Sequence, residues 1–248
     1  MRSLKSETLN IKSEVLDEER EIYVYLPDDL GVGEIYSVIY LLDGHSLFNY
    51  VSSVVQMYSV RGRIPPMIVV GIASTDRMRD FTPTERGGMN GRPMSGGKAD
   101  KFLQFLSDDL FPLIESKYPT RDYRTLIGHS LGGLFTVHAF VAQPQMFRSY
   151  IALSPWFGSE DDILLSNVES YLKKGISPPK IIFTANEPIN RPGIENRIAN
   201  FIELLQIYEQ EGLDWKYKRV EDSDHSNLPL KVIPDALEFI FPGIVRDK

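Results

Sequence analysis

A chain of 248 residues with a net charge of −7 and no cysteine excludes thiol catalysis, thiolate metal sites and disulfides. Its acidity and the lack of a basic run argue against a nucleic-acid partner. With 42% hydrophobic and 25% charged residues it reads as an ordinary globular chain, long enough to bury a large core without a metal or disulfide staple. No stretch has the apolar length that spans a bilayer, and Met1 to Arg20 carries charges throughout. That segment lacks the apolar run of a signal peptide, so no membrane association and a cytoplasmic location are expected.

Thr8–Leu16 and Glu21–Leu26 alternate in character around a charged turn and predict an opening antiparallel hairpin. Ser37–Leu42 and Met67–Ile72 are nearly continuous apolar runs, as expected of strands buried on both faces of a mostly parallel sheet. Residues 74–98 are rich in Gly, Arg, Thr and Met without periodicity, which predicts a long, lid-like functional loop. Phe102, Phe105, Leu106, Leu110 and Leu113 then fall at helical spacing between Asp100 and Lys117. Tyr123–Ile127 predicts a strand and Leu134–Ala142 a packed helix. Further strands are expected at Tyr150–Leu153, Lys180–Ala185 and Trp215–Val220, and helices at Asp161–Lys173, Glu195–Glu211 and Leu230–Phe241. Strands alternating with helices imply βαβ units and a doubly wound sheet. No repeat or linker composition divides the chain, so a single α/β domain over residues 1–248 is expected.

Gly128-His129-Ser130-Leu131-Gly132 lies between one of these strands and the helix after it. A tight strand-to-helix turn of G-x-S-x-G form presents a nucleophilic serine at the carboxyl end of a sheet, so Ser130 is the candidate nucleophile. A serine hydroxyl needs a base within hydrogen-bond reach, and the chain has only four histidines. His129 neighbours Ser130, and its side chain is expected to diverge from the nucleophile. His138 lies two turns into the helix, and His45 precedes the serine, against the chain order of this kind of site. His225 remains, directly after the last strand, as the candidate base. Glu187 is the first carboxylate beyond the strand between serine and histidine and is the candidate acid. Asp222, Asp224 and Glu195 compete for that role, as does a Ser–His dyad with no acid. The oxyanion needs two backbone donors: Leu131 N–H after the nucleophile, and His45 N–H in the Asp43-Gly44-His45 turn.

Several blocks extend this picture: Tyr40–Gly44, Arg77-Met-Arg-Asp-Phe-Thr-Pro-Thr84, Gly97–Leu106, Leu126–Leu134, Ala152-Leu-Ser-Pro-Trp156 and Asp224-His225. Together they resemble the siderophore-esterase and esterase D branch of the α/β-hydrolases. The R-x-R-D-[YF]-T-P block is similar to that of ferric-enterobactin and bacillibactin esterases. The resemblance implies an α/β/α sandwich with a mostly parallel central sheet and ester hydrolysis without cofactor or metal. It also implies a serine, acid and histidine at Ser130, Glu187 and His225, although some members of the branch work with a dyad.

The expected partner is a small-molecule ester. Arg77, Arg79, Arg86, Arg92 and Lys98 make residues 74–98 locally basic, so Arg77 and Arg79 are candidates to draw in an anionic substrate. The competing reading is a solvated loop in which Arg79 and Asp80 form an internal salt bridge. Trp156 is a candidate wall of the acyl pocket, or a core tryptophan. A siderophore lactone is the leading substrate, with feruloyl or acetyl-sugar esters and acyl transfer as alternatives. A non-catalytic ligand-binding protein on the same scaffold is the reading from another class.

Overall fold

In the computed structural model, residues 3–27, 33–86 and 95–242 are described. The chain opens with β1 (Ser6–Ser13) and β2 (Glu18–Tyr25), the expected antiparallel hairpin, with Ser13 opposite Glu18. Next come β3 (Tyr36–Leu41), α1 (Gly44–Val60) and β4 (Met67–Ile72), whose strand residues are all buried, as continuous apolar runs require.

Residues 74–98 differ from the expected loop. Arg77–Phe81 is a short helix, α2, capped by Asp76, whose side chain accepts the Arg79 N–H. Glu85–Arg86 (β5) pairs antiparallel with Ser95–Gly96 (β6). Residues 87–94, with Gly87, Gly88, Gly91 and Arg92 of the expected lid, lie outside the described residues. The predicted 100–117 helix is α3 (Ala99–Phe105) and α4 (Phe111–Lys117), joined through a π-helical turn at Leu106–Leu110.

The second half alternates as predicted: β7 (Thr120–His129), α5 (Leu131–Ala142), β8 (Ser149–Leu153), α6 (Asp162–Lys173), β9 (Lys180–Asn186), α7 (Pro192–Ile207), β10 (Leu213–Arg219) and α8 (Leu228–Ile240). The main sheet has 8 strands in the order β1-β2-β4-β3-β7-β8-β9-β10. It is parallel from β4 to β10 and antiparallel at its leading edge. Because side chains alternate across a strand, Tyr40, Leu126, Ala152 and Ile182 join one core with Phe102, Phe135, Val168 and Phe201. Their neighbours Ile39, Ile127, Ile151 and Phe183 join the opposite core with Val51, Val55, Val232 and Leu237. The result is a three-layer sandwich, with α1 and α8 on one face and α3 to α7 on the other. All parallel strands end at one edge, where the connecting turns gather. Among the described residues no helix is long and apolar enough to cross a membrane.

Candidate active site

Ser130 sits between β7 and α5 with φ 61° and ψ −118°, a conformation L-residues rarely adopt. The elbow is held by backbone bonds that leave little freedom. Ser130 N–H donates to Leu153 O at 2.9 Å, while Ser130 O accepts from Leu134 N–H at 3.0 Å and Trp156 N–H at 3.1 Å. Close approach explains two of the glycines. A Cβ at Gly128 would lie 2.1 Å from Gly132 O, and one at Gly133 2.6 Å from Leu153 O. At Gly132 the nearest atom would be Asp43 Oδ2 at 3.4 Å, an ordinary contact. Gly133, outside the five-residue motif, is therefore the glycine that lets α5 lie against β8.

On the neighbouring strand β3, Leu42 N–H donates to Ile127 O at 2.9 Å, which brings the starts of α1 and α5 side by side. Asp43 caps α1 at φ 54°, and His45 follows in the first turn with its side chain exposed. First-turn N–H groups have no partner within their helix. Leu131 N–H and His45 N–H are thus both first-turn donors on adjacent helix starts, where the helix dipole also favours negative charge.

His225 lies in the turn between β10 and α8. Its Nδ1 is 2.7 Å from Glu187 Oε1, so of the four carboxylates considered, Glu187 is the one that meets the imidazole. The other three are engaged elsewhere. Asp224 caps its own turn through Ser226 N–H at 2.8 Å and Asn227 N–H at 3.0 Å. Asp222 pairs with Lys231 at 2.9 Å and Glu195 with Arg219 at 2.7 Å. Burial raises the Glu187 carboxyl, but hydrogen bonding, first from His225, more than offsets it and holds the group below the usual glutamate value. Glu187 is therefore a carboxylate near neutral pH. A carboxylate only accepts, which places a proton on His225 Nδ1; in the neutral ring that tautomer carries its lone pair on Nε2. The Glu187 backbone is fixed separately: Asn186 Nδ2 donates to Glu187 O at 2.7 Å, and Tyr217 O–H donates to Asn186 Oδ1 at 2.8 Å.

Two rings flank His225. Trp156 meets it edge-on at 5.8 Å between centroids. His129, whose side chain was expected to diverge from the nucleophile, packs its ring 4.5 Å from that of His225. The turn that exposes Ser130 leaves the preceding side chain on the histidine's side. Burial, reinforced by His225, pushes the His129 imidazole down to about 4, so it stays neutral at neutral pH. His138 is a packed helix residue, as expected, with Nε2 2.8 Å from Asp100.

Arg77, Arg79 and Arg86, the described arginines of 74–98, are engaged by carboxylates. Arg77 makes a bidentate pair with Asp43, Nε–Oδ1 at 2.7 Å and Nη2–Oδ2 at 3.0 Å. Its Nη2 also lies 3.4 Å from His129 O, so this guanidinium ties the β3–α1 turn to the elbow. Arg79 pairs with Asp80 at 2.7 Å and Glu18 at 2.8 Å. The same two carboxylates hold Arg20, whose side chain is completely buried. The internal Arg79–Asp80 bridge, the competing reading of this block, is thus the one present, and its charge is directed into the fold. Arg86 reaches Asp161 at 2.5 Å and Glu160 at 3.1 Å and fastens the small hairpin over the turn after β8.

Sequence reasoning missed several residues here. Ser154 is fully buried with φ 44°, and its Oγ lies 3.0 Å from Glu187 Oε1. Arg191, at the start of α7, stacks its guanidinium 4.9 Å over Trp156. The Ser154 signal was available, as a polar residue at the carboxyl end of a buried strand. Arg191 carried no comparable signal, because its partner is 35 positions away.

The Esterase family model matches residues 13–178, more than half of the chain. The chain belongs to the Esterase family. This esterase is 30% identical over 229 residues to the ferri-bacillibactin esterase BesA of Bacillus subtilis, covering 82% of this chain and 78% of that protein. It is 28% identical over 216 residues to a siderophore enterobactin esterase of Emericella nidulans, covering 77% and 69%. Among solved structures, an IroE-like serine hydrolase from Shewanella oneidensis superimposes with a TM-score of 0.87 at 30% identity, over 96% of this chain and 80% of that one. The fold and the enzyme class expected from sequence, a carboxylic ester hydrolase on an α/β-hydrolase sandwich, agree with these relationships.

Proposed function

We propose that this esterase hydrolyses an anionic small-molecule ester of the siderophore-lactone kind through Ser130, His225 and Glu187. The observation that carries the reading is the meeting of His225 with a buried, ionised Glu187 beside the strained Ser130 elbow. His225 Nε2 takes the Ser130 Oγ proton as Oγ attacks the ester carbonyl. Leu131 N–H and His45 N–H receive the oxyanion, and each such donor contributes about 10²–10³ in rate. The imidazolium, stabilised by Glu187, protonates the departing alcohol. Water, deprotonated by the same imidazole, then attacks the acyl-serine and frees the acid. Nothing in this sequence of steps needs a group beyond the chain and water.

The substrate class is supported by the kinship with siderophore esterases and by one free cation. Arg77, Arg79 and Arg86 face carboxylates. Arg191 is exposed on Trp156, beside His225, with no ion pair among the described residues. It suits an anionic or aromatic acyl arm better than Arg77 and Arg79, the two arginines that composition singled out, while Trp156 keeps its candidate role as a wall.

The experiment compares a ferric trilactone siderophore, an acetylated xylan oligomer and p-nitrophenyl butyrate. Wild type should favour the trilactone, and Ser130→Ala should abolish turnover of all three. Hydrolysis of none of them by wild type, with no organophosphate labelling of Ser130, would defeat the enzymatic reading. Arg191→Gln should raise KM for the trilactone and leave the butyrate unchanged; equal effects on both would remove the anion-recognition role.

A further inference from the structure

We propose that Ser154 is a positioning residue that fixes the Glu187 carboxylate against His225, an inference that rests on the serine–histidine–acid reading above. Ser154 Oγ is 3.0 Å from Glu187 Oε1 and 3.4 Å from His225 Nδ1, and Nδ1 is 2.7 Å from the same Oε1. The three atoms form a closed triangle. A hydroxyl has one hydrogen to give. Directed at the carboxylate, it occupies one lone-pair site of Oε1 and leaves another for Nδ1–H.

The carboxylate needs this second anchor. Glu187 Oε2 is buried without a hydrogen-bond partner, so both side-chain donors converge on Oε1. Asn186 and Tyr217 hold the backbone of residue 187 but not the rotation of its carboxylate. Without Ser154, the one side-chain donor left would be His225, whose side chain is 42% exposed, beside a backbone hydrogen bond at residue 187 itself. In the proposed reaction this ring passes between neutral and charged forms, and a fixed acceptor on its Nδ1 side holds its orientation through both. Ser154 also raises the fraction of Glu187 that is ionised, because its hydrogen bond favours the carboxylate.

The backbone at Ser154 fits this role. A non-glycine residue at φ 44° is strained and persists where the surroundings over-determine it. Here Ser154 N–H donates to Ala185 O at 2.7 Å. This bond continues the β8–β9 pairing one residue past the strand and turns the side chain toward Glu187 rather than into either core. Glycine would adopt such a turn without strain; serine adds only the hydroxyl.

The test is a set of enzymes assayed for kcat and KM on p-nitrophenyl butyrate: wild type, Ser154→Ala, Ser154→Gly, Glu187→Gln and Ser154→Ala/Glu187→Gln. Loss of a hydrogen bond to a charged group corresponds to about a 10- to 100-fold fall in kcat. That fall is expected for both single Ser154 variants, with KM changed less than about twofold, because no substrate contact is lost. In the Glu187→Gln background the Ser154→Ala change should cost nothing more. The downfield Nδ1 proton resonance of His225, read by NMR in folded Ser154→Ala, should shift or broaden. Full activity in Ser154→Gly would overturn the inference, since the turn and not the hydroxyl would then matter. So would an undiminished Ser154→Ala loss in the Glu187→Gln background. If Glu187→Gln loses activity by orders of magnitude while both Ser154 variants match wild type, Ser154 fails and the triad stands. If Glu187→Gln itself matches wild type, the triad reading fails and takes this one with it.

Discussion

At the scale of single residues, the site depends on keeping neighbours of His225 uncharged or anionic. His129 touches the His225 ring, and a second imidazolium there would oppose the one formed in the reaction. Burial prevents this by holding His129 near 4, well below the 6.5 of a free imidazole. The same shift makes stability depend on pH. Between about 6.5 and 4 the unfolded chain binds a proton at this position that the folded chain refuses, so stability rises with pH across that window. The contribution is fully present above about 6.5 and is lost as pH falls toward 4. Replacing His129 by Phe should flatten Tm against pH between those values, as read by thermal unfolding. An unchanged slope would show that His129 titrates normally.

At the scale of elements, the R-x-R-D block carries the kinship in sequence and, in the fold, a network of ion pairs. Asp80 on α2 is 1% exposed and pairs with Arg20 of β2 and with Arg79. Glu18 completes the cluster from β2, and Arg20 lies 5.5 Å over the Phe102 ring of α3. The block is a charged joint between the leading hairpin, α2 and α3. Removing one partner of a buried pair strands the other charge and costs about 3–5 kcal/mol. Asp80→Ala should therefore lower Tm by on the order of 10 °C for a chain of this size. A drop of a degree or two would mean that Glu18 alone compensates Arg20. The sequence could not reveal this joint, because Arg79 and Glu18 are 61 positions apart and nothing local distinguishes a paired arginine from a free one. Most helices and strands longer than five residues were legible, since burial imposes periods of 2 and 3.6 on them, but the 17-residue α1 was not among the expected elements. The five-residue α2 and the two-residue strands of the small hairpin are too short to show a period.

At the scale of the whole molecule, the candidate site is an edge, not a pocket carved from one element. Asp43, Ser130, Ser154, Glu187 and His225 follow the carboxyl ends of β3, β7, β8, β9 and β10. These strands lie side by side in that order across the sheet. This explains why Ser130, His225 and Glu187 could be nominated from the sequence. In a parallel sheet the residues just after strands share one edge, so strand order substitutes for a contact map. Ser154 follows the same rule from its place after β8, but what distinguishes it, a positive φ and a hydrogen bond to a residue 33 positions on, is not written in the local sequence.

The position of β10 at the outer margin of the sheet, paired only with β9, has a consequence for how the enzyme comes to life. The proposed nucleophile, Ser130, lies in the β7–α5 turn, whereas the proposed base, His225, arrives on the β10–α8 turn. On the proposed triad, hydrolysis requires β10 to have docked on β9, which brings His225 to Glu187. Recovery of esterase activity after dilution from denaturant should accordingly lag the return of signals from the inner-strand tyrosines Tyr40 and Tyr150. Simultaneous recovery would mean that the edge strand docks with the rest. On the proposed triad, activity is a clock that starts when this edge of the sheet is in place.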